Sequence, residues 1–519
     1  MQSQPPSLAV TTGATAPAQG RWRELAIVLG LPLLLGLLAA AAAARLSAFD
    51  GWALFEYAYP LGCVSLAVYL QARRPGAYVA LTWWVVFLSP FVRRVVDYHS
   101  GWTSASPVIL ATVLVPGVAA LALLRHRRAM TGPFATPFVL AALGVGYGYV
   151  VGTASQGPAA ATFDLLNWAV PMVFGLYLAL EWRAYPAIRK AVVRTFGYGL
   201  ILTGAYGIAQ FLLAPGWDAY WMAHCGMGAI GVPEPLRIRV FSTMNAPGPY
   251  GILTACGILL LMGGGRQAGP ARWPAVILGS AGLLLSMART AWLGWAVGAL
   301  VLIRFAPKQR RVSLLLVLAG VMLCGFLVAR ALPPSGAVAQ RVSTMGDIRN
   351  DHSFQDRVDL LQSLRGALLD PVGQGLGSTG TAAKLNLGET LDFDNGVANV
   401  PYVLGWIGGG LFAVGVGLAF ARAWRAQKKV REQDPDALPG AAFAVATAVL
   451  LMMLSSNTML RPEGLLFWSG IGLVLASGFA RGADPPPGEE RRLENTIAPG
   501  SIPAAQQFHP PIHNASNPS

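Results

Sequence analysis

Two arginines beside apolar runs and one acid–amide pair have the side chains that phosphate and proton chemistry require. The first arginine lies in Arg237-Ile-Arg239-Val-Phe-Ser-Thr-Met-Asn245-Ala-Pro247-Gly-Pro-Tyr-Gly251, where Pro and Gly predict an irregular entry into an apolar helix. The second lies in Ser286-Met-Ala-Arg289-Thr290-Ala-Trp292, in a turn between two apolar runs that is too short to let it wander. A guanidinium is a planar fork that meets phosphate oxygens two at a time. Each arginine also has a plainer reading: Arg239 as an interfacial anchor, Arg289 as a side chain snorkelling out of lipid. The acid–amide pair is Asp392-Phe-Asp394-Asn395-Gly396, followed by Pro401-Tyr402 and Leu404-Gly405-Trp406-Ile407-Gly408-Gly409. A carboxylate in a partly dry site is suited to accept a proton from a hydroxyl.

The acidic pair closes a polar island, residues 331–399, that separates two apolar runs. It holds Asp347, Asp351, Asp356, Asp359, Asp370, Glu389, Asp392 and Asp394, eight of the 24 acidic residues in the chain. Ser353-Phe-Gln-Asp356-Arg357 suits a helix start. Val358, Leu361, Leu364 and Leu368 then recur at helical spacing, and Asp370-Pro371-Val-Gly373-Gln-Gly375-Leu-Gly377 ends the run. The pattern predicts a short helix lying along the surface of the molecule.

Everything else must position this island. The 519 residues are 54% hydrophobic and 12% charged, about half the charge of an ordinary soluble chain. Apolar runs long enough to cross about 30 Å of hydrocarbon recur throughout, and in lipid they must be helices. The expected fold is therefore all-α: a polytopic membrane protein of about fourteen transmembrane helices with one long periplasmic loop containing short helices. Residues 1–22 read as a disordered cytoplasmic tail, 23–330 as helices 1–11, 331–399 as the large loop, 400–480 as helices 12–14 and 481–519 as a second disordered tail. The net charge of +14 sits mainly in short loops on alternate sides, as the positive-inside bias requires, which argues against nucleic acid as a partner. Arg93 and Arg94 break that bias, because they fall in a loop expected on the outer side; an anionic ligand would give them a reason. Trp217, Tyr220 and Trp221 read first as an interfacial aromatic belt, and second as rings for sugar stacking. Cys63, Cys225, Cys256 and Cys324 have no metal or disulfide spacing.

Taken together, Arg239 with Asn245-x-Pro247, Ser286-x-x-Arg289-Thr290, Arg357 with Pro371-x-Gly373-x-Gly375, and Asp394-Asn395 before Leu404-Gly405-Trp406-Ile407-Gly408 resemble the O-antigen ligase/polymerase superfamily. The resemblance covers roughly residues 237–420, in short motifs that share order and side. Members of that superfamily are bacterial inner-membrane glycosyltransferases that move glycans from polyprenyl pyrophosphate on the periplasmic face. The ligase branch carries His-Asn where this chain has Asp394-Asn395, so the resemblance points to the exopolysaccharide-polymerase branch.

What the resemblance implies is inverting transfer without a nucleotide sugar, a metal or another cofactor. Arg239 and Arg289 would hold the pyrophosphate, and Asp394 would be the base. Arg357 would orient Asp394 or bind the second glycan. Arg93 and Arg94 would be reserve phosphate ligands, with Asn245, Asn395 and Asp392 lining the substrate. Asp392-x-Asp394 imitates the metal pair of nucleotide-sugar enzymes, but the arginines already supply positive charge. The implied partners are a polyprenyl-pyrophosphate-linked glycan, membrane lipid, and chain-length and export proteins. The alternatives are a lipid A-core or protein O-glycan ligase within the superfamily, and a transporter or lipid-linked glycan flippase outside it.

Overall fold

The computed structural model describes residues 51–306, 369–387, 395–433 and 437–482, with position 366 and scattered positions between 308 and 320. The predicted first helix, Arg357, Asp392, Asp394 and nearly all of the predicted surface helix lie outside the described residues. Among the described residues eight helices are long and apolar enough to cross a membrane. The chain is a multi-pass membrane protein.

The helices are α1 (Gly51–Arg73), α2 (Pro75–Ser100), α3 (Pro107–Arg125), α4 (Thr136–Ser155), α5 (Pro158–Leu180), α6 (Tyr185–Leu213) and a short α7 (Gly216–His224). They continue as α8 (Pro247–Gly264), α9 (Arg272–Leu285), α10 (Arg289–Phe305), α11 (Gly380–Leu387), α12 (Gly396–Gln433), α13 (Leu438–Met452) and α14 (Arg461–Ala480). Proline opens α2, α5, α6, α13 and α14 within their first two positions, where its missing N–H costs nothing. Because successive long helices reverse direction, the turns 101–106, 214–246, 286–288 and 453–460 gather at one end with 369–379. This is the loop end. The Arg- and Lys-rich turns gather at the other, the basic end.

Lipid gives apolar helices no hydrophobic reason to associate, so close approach through small residues carries the packing. Gly144, Gly148 and Gly152 form such a stripe on α4. A Cβ at Gly144 would lie 2.4 Å from the Gly408 carbonyl of α12, and one at Gly175 of α5 would lie 2.4 Å from the Trp468 carbonyl of α14. The segment 214–246 is not a bare connector. Trp221, Met222, Ile230, Ile238 and Phe241 form a second small core, with Trp102, Ala214 and Cys225 packed against it. It makes a folded cap on the loop end.

Arg93 and Arg94 are not in a loop, as the charge pattern had suggested. They lie inside α2 and are buried. A charge is costly at such depth unless paired, and both are paired: Arg93 Nε lies 3.2 Å from Asp97 Oδ2, and Arg94 Nη1 lies 2.9 Å from Asp218 Oδ1.

Candidate functional site

The loop end brings Arg239 and Arg289 to the same turn. The backbone around Arg239 is extended between two supports: its N–H donates to the Ile230 carbonyl at 3.0 Å, and that of Val240 donates to the Leu285 carbonyl at 3.0 Å. The Arg239 side chain then reaches the α9–α10 turn, where Nη2 donates to the Met287 carbonyl at 3.3 Å. Arg289, two residues on, opens α10 and is half-buried. Met287 adopts φ +53°, a left-handed conformation that an unbranched non-glycine residue takes only at a cost. Ser286 holds the turn in this shape. Its Oγ donates to the Leu283 carbonyl at 2.7 Å and accepts from Ala288 N–H at 3.3 Å. Trp292 Nε1 also donates to Leu283 O, at 2.8 Å. The Ser286-x-x-Arg289-x-x-Trp292 spacing thus builds the turn from which Arg289 opens α10. Gly251 lets α8 lie against it, since a Cβ there would meet that of Ala288 at 2.9 Å.

A buried network holds the strand of backbone that carries Arg239. Gln210 Oε1 accepts from the N–H groups of Phe241 (3.0 Å) and Ser242 (2.8 Å). Its Nε2 donates to Asp218 Oδ2 at 2.8 Å, as does Tyr206 OH at 2.7 Å. Arg94 completes the network by donating to the Ser242 carbonyl while pairing with Asp218. Ser242 itself sits at φ +50°. Sequence reading missed Gln210 and Asp218; a lone Gln and a lone Asp beside apolar runs carry no pattern. The Trp221 indole donates to the Asn245 carbonyl at 3.2 Å, so Asn245 is anchored through its backbone.

The second assembly joins two motifs far apart in the chain. Helix α12 breaks at Gly405, which takes φ +64°. The break frees backbone groups that lipid cannot satisfy. The segment Pro371–Gly377 lies across it as a strap. Gln374 N–H donates to the Tyr402 carbonyl at 2.8 Å, Gly375 N–H to Val403 at 3.0 Å, and Trp406 N–H to the Pro371 carbonyl at 3.0 Å. The strap's other face lies on α4 and α5. Leu376 N–H donates to Gly148 O at 2.9 Å, and Gly377 N–H donates to the buried carboxylate of Asp164 at 3.0 Å. Glycine is required where backbones touch: a Cβ at Gly405 would lie 2.3 Å from Val372 O, and one at Gly375 would lie 2.3 Å from Gly152 N.

Asn395 starts α12. Its Oδ1 accepts from Val397 N–H at 2.9 Å and Ala398 N–H at 3.3 Å, an N-cap. The helix start is then tied to the α13–α14 turn. Gly396 N–H donates to Met453 O at 2.8 Å, and Asn457 Nδ2 to Asn399 Oδ1 at 2.6 Å. Asn399 Nδ2 reaches Thr379 Oγ1 at 3.4 Å, below the strap. The two assemblies are neighbours through α10 and α13, because Gly294 lies directly against Met452.

Of the residues singled out in the sequence, Arg239 and Arg289 meet at one turn, and Asn245 lies in the segment that Arg239 opens. Asn395 caps α12 on the adjoining assembly. Arg93 and Arg94, inside α2, are committed to acid partners, Asp97 of the same helix and Asp218 of α7. Trp217 and Trp221 face inward, the first donating to Tyr206 OH at 2.6 Å and the second only 3% exposed. Comparison with known proteins found no matching family model and no curated protein of detectable similarity.

Proposed function

We propose that this chain is a glycosyltransferase of the periplasmic face of the bacterial inner membrane that polymerises polyprenyl-pyrophosphate-linked oligosaccharide repeat units. The observation that carries the reading is the convergence of Arg239 and Arg289 on the 286–289 turn, both half-buried at the loop end. Two arginines on one turn suit a pyrophosphate whose charge grows as it leaves. In the proposed reaction a hydroxyl of a second lipid-linked unit attacks the anomeric carbon from the face opposite the leaving group. The new C–O bond forms as the bond to pyrophosphate breaks, with inversion, and the hydroxyl proton passes to Asp394. Arg357 orients that carboxylate or the second glycan. Asn245, Asn395 and Asp392 lie beside these residues in the chain. Arg94 acts on Arg239 through Ser242 rather than on substrate.

A transporter is the competing reading, since a membrane helix broken at Gly405 is what ion-coupled carriers use for their sites. Here, however, the strap takes up the Tyr402 and Val403 carbonyls freed by the break. That supports a rigid scaffold over an ion site.

The test is glycan analysis of a strain deleted for this chain. Polymerisation requires single repeat units on lipid and no long polymer. Long lipid-linked chains that never reach an acceptor would instead identify a ligase, and units retained on the inner leaflet would identify a carrier.

A further inference from the structure

The turn between α13 and α14 is built as a rigid support. Thr458 Oγ1 donates to the Val449 carbonyl at 2.7 Å, and Met459 N–H donates to Asn457 Oδ1 at 3.1 Å. Thr458 and Met459 are both buried. Arg461, which opens α14, adopts φ +51°, a backbone conformation that a non-glycine residue keeps only where its surroundings impose it.

From this support a relay of side chains reaches two distant points of the chain. Met459 N–H occupies Asn457 Oδ1, so the Asn457 amide is left to donate, and its Nδ2 donates to Asn399 Oδ1 at 2.6 Å. Asn399 then has its own Nδ2 to give, and it donates to Thr379 Oγ1 at 3.4 Å. The polarity of the relay is thus set from the turn. Asn399 and Thr379 are both buried and stand twenty positions apart. Two further ties lie beside the relay. Arg461 Nη2 donates to Thr381 Oγ1 in the first turn of α11. The start of α12 rests on the same turn through its backbone, since a Cβ at Gly396 would lie 2.5 Å from the Ser456 carbonyl. The chain therefore leaves the strap at Thr379 and comes back at Asn399 to one place. Asp394 is the residue before the N-cap Asn395, so a single peptide, about 3.8 Å between Cα atoms, separates it from this anchored helix start.

We infer that Asn457, acting through Asn399 and Thr379, is a positioning residue: it clamps both ends of the segment 380–398 on the α13–α14 turn and so sets where Asp394 is presented to the acceptor hydroxyl. The inference rests on the proposed glycosyltransferase reading and deepens it. A base must be held to within a fraction of an ångström of its working place, and a carboxylate at the edge of a long polar segment gains that precision only from what fastens the segment.

The test uses the full-length chain in lipid nanodiscs, with polyprenyl-pyrophosphate-linked repeat units extracted from a strain deleted for this chain. Thr379→Val removes the last hydroxyl of the relay at nearly constant volume and leaves the α13–α14 turn intact. Asn457→Leu removes the first amide. Each should lower kcat about 10- to 100-fold with KM within about 3-fold of wild type. Thr379→Ser, which keeps the hydroxyl, should recover kcat to within about 3-fold of wild type. The decisive arm repeats Thr379→Val on the residual rate of Asp394→Asn. A clamp that acts through Asp394 then has no base to position, so the further loss should be under about 2-fold. Hydrogen exchange gives a readout apart from activity: amides of 380–387 and 395–399 should exchange faster in Thr379→Val, and those of Gln374 and Gly375 should not change. Equal losses with and without Asp394, unchanged kcat in Thr379→Val, or unchanged exchange would each overturn the inference. A wild type that forms no polymer, with exchange still responding to Thr379→Val, would instead overturn the glycosyltransferase reading and the role of Asp394, while the clamp on the segment stands.

Discussion

Arg94 Nη1 faces Asp218 Oδ1 at 2.9 Å, and neither side chain has any solvent exposure. The pair ties the interior of α2 to α7, and through Gln210 and Ser242 it fixes the backbone leading to Arg239. A buried ion pair adds little over an apolar pair, but breaking one is expensive because a charge is left behind.

Asp218→Asn should therefore destabilise the cap by about 3–5 kcal/mol, since Arg94 then lacks its counter-charge. The check is thermal unfolding in detergent, together with protease cleavage in 225–236. Asp218→Asn that melts with the wild type would mean that Tyr206 and Gln210 suffice to hold the cap.

The strap should be as sensitive. Gly405→Ala puts a Cβ 2.3 Å from Val372 O at a left-handed φ, whereas Gly410→Ala meets nothing within 4 Å. The first should lose polymer formation and expose the amides of Gln374 and Gly375 to hydrogen exchange; the second should behave as wild type. Equal exchange in both variants would show that the strap does not depend on the break.

Arg289→Lys keeps the charge but replaces a planar fork with a point charge. If Arg289 grips pyrophosphate, polymer formed per inserted molecule should fall about 100- to 1000-fold, with Arg239→Lys similarly impaired. Retention of more than about a third of the activity would identify Arg289 as a snorkelling residue.

Orientation is tested with single cysteines placed in a chain stripped of its own. Glu234→Cys and Lys384→Cys, at the loop end, should react with an impermeant maleimide in intact spheroplasts. Lys428→Cys, on the exposed side of α12 at the basic end, should not. Labelling of position 428 from outside would invert the arrangement.

Metal dependence separates two readings of Asp392-x-Asp394. With the two arginines supplying the positive charge, purified protein should extend lipid-linked units at an unchanged rate in EDTA. Activity that disappears on chelation and returns with magnesium would assign the pair to a cation.

Hydropathy and turn residues determined where most helices run. Whether a segment partitions into lipid depends on its own side chains, and the Pro and Gly that open and break helices act on their own backbone. The tight Ser286–Arg289 turn was legible for the same reason. Relations between distant segments were decided only by tertiary structure. The Pro371–Gly377 and Leu404–Gly408 motifs were each visible, but not that one satisfies the backbone groups freed by the other; those hydrogen bonds join positions 371–375 to 402–406 across the acidic island. The charge pattern puts Arg94 in a loop; the counter-charge that offsets the cost of burying it, Asp218, lies on α7, five helices further along the chain. The sign and cost of a charge are properties of the residue, while what offsets that cost belongs to the fold.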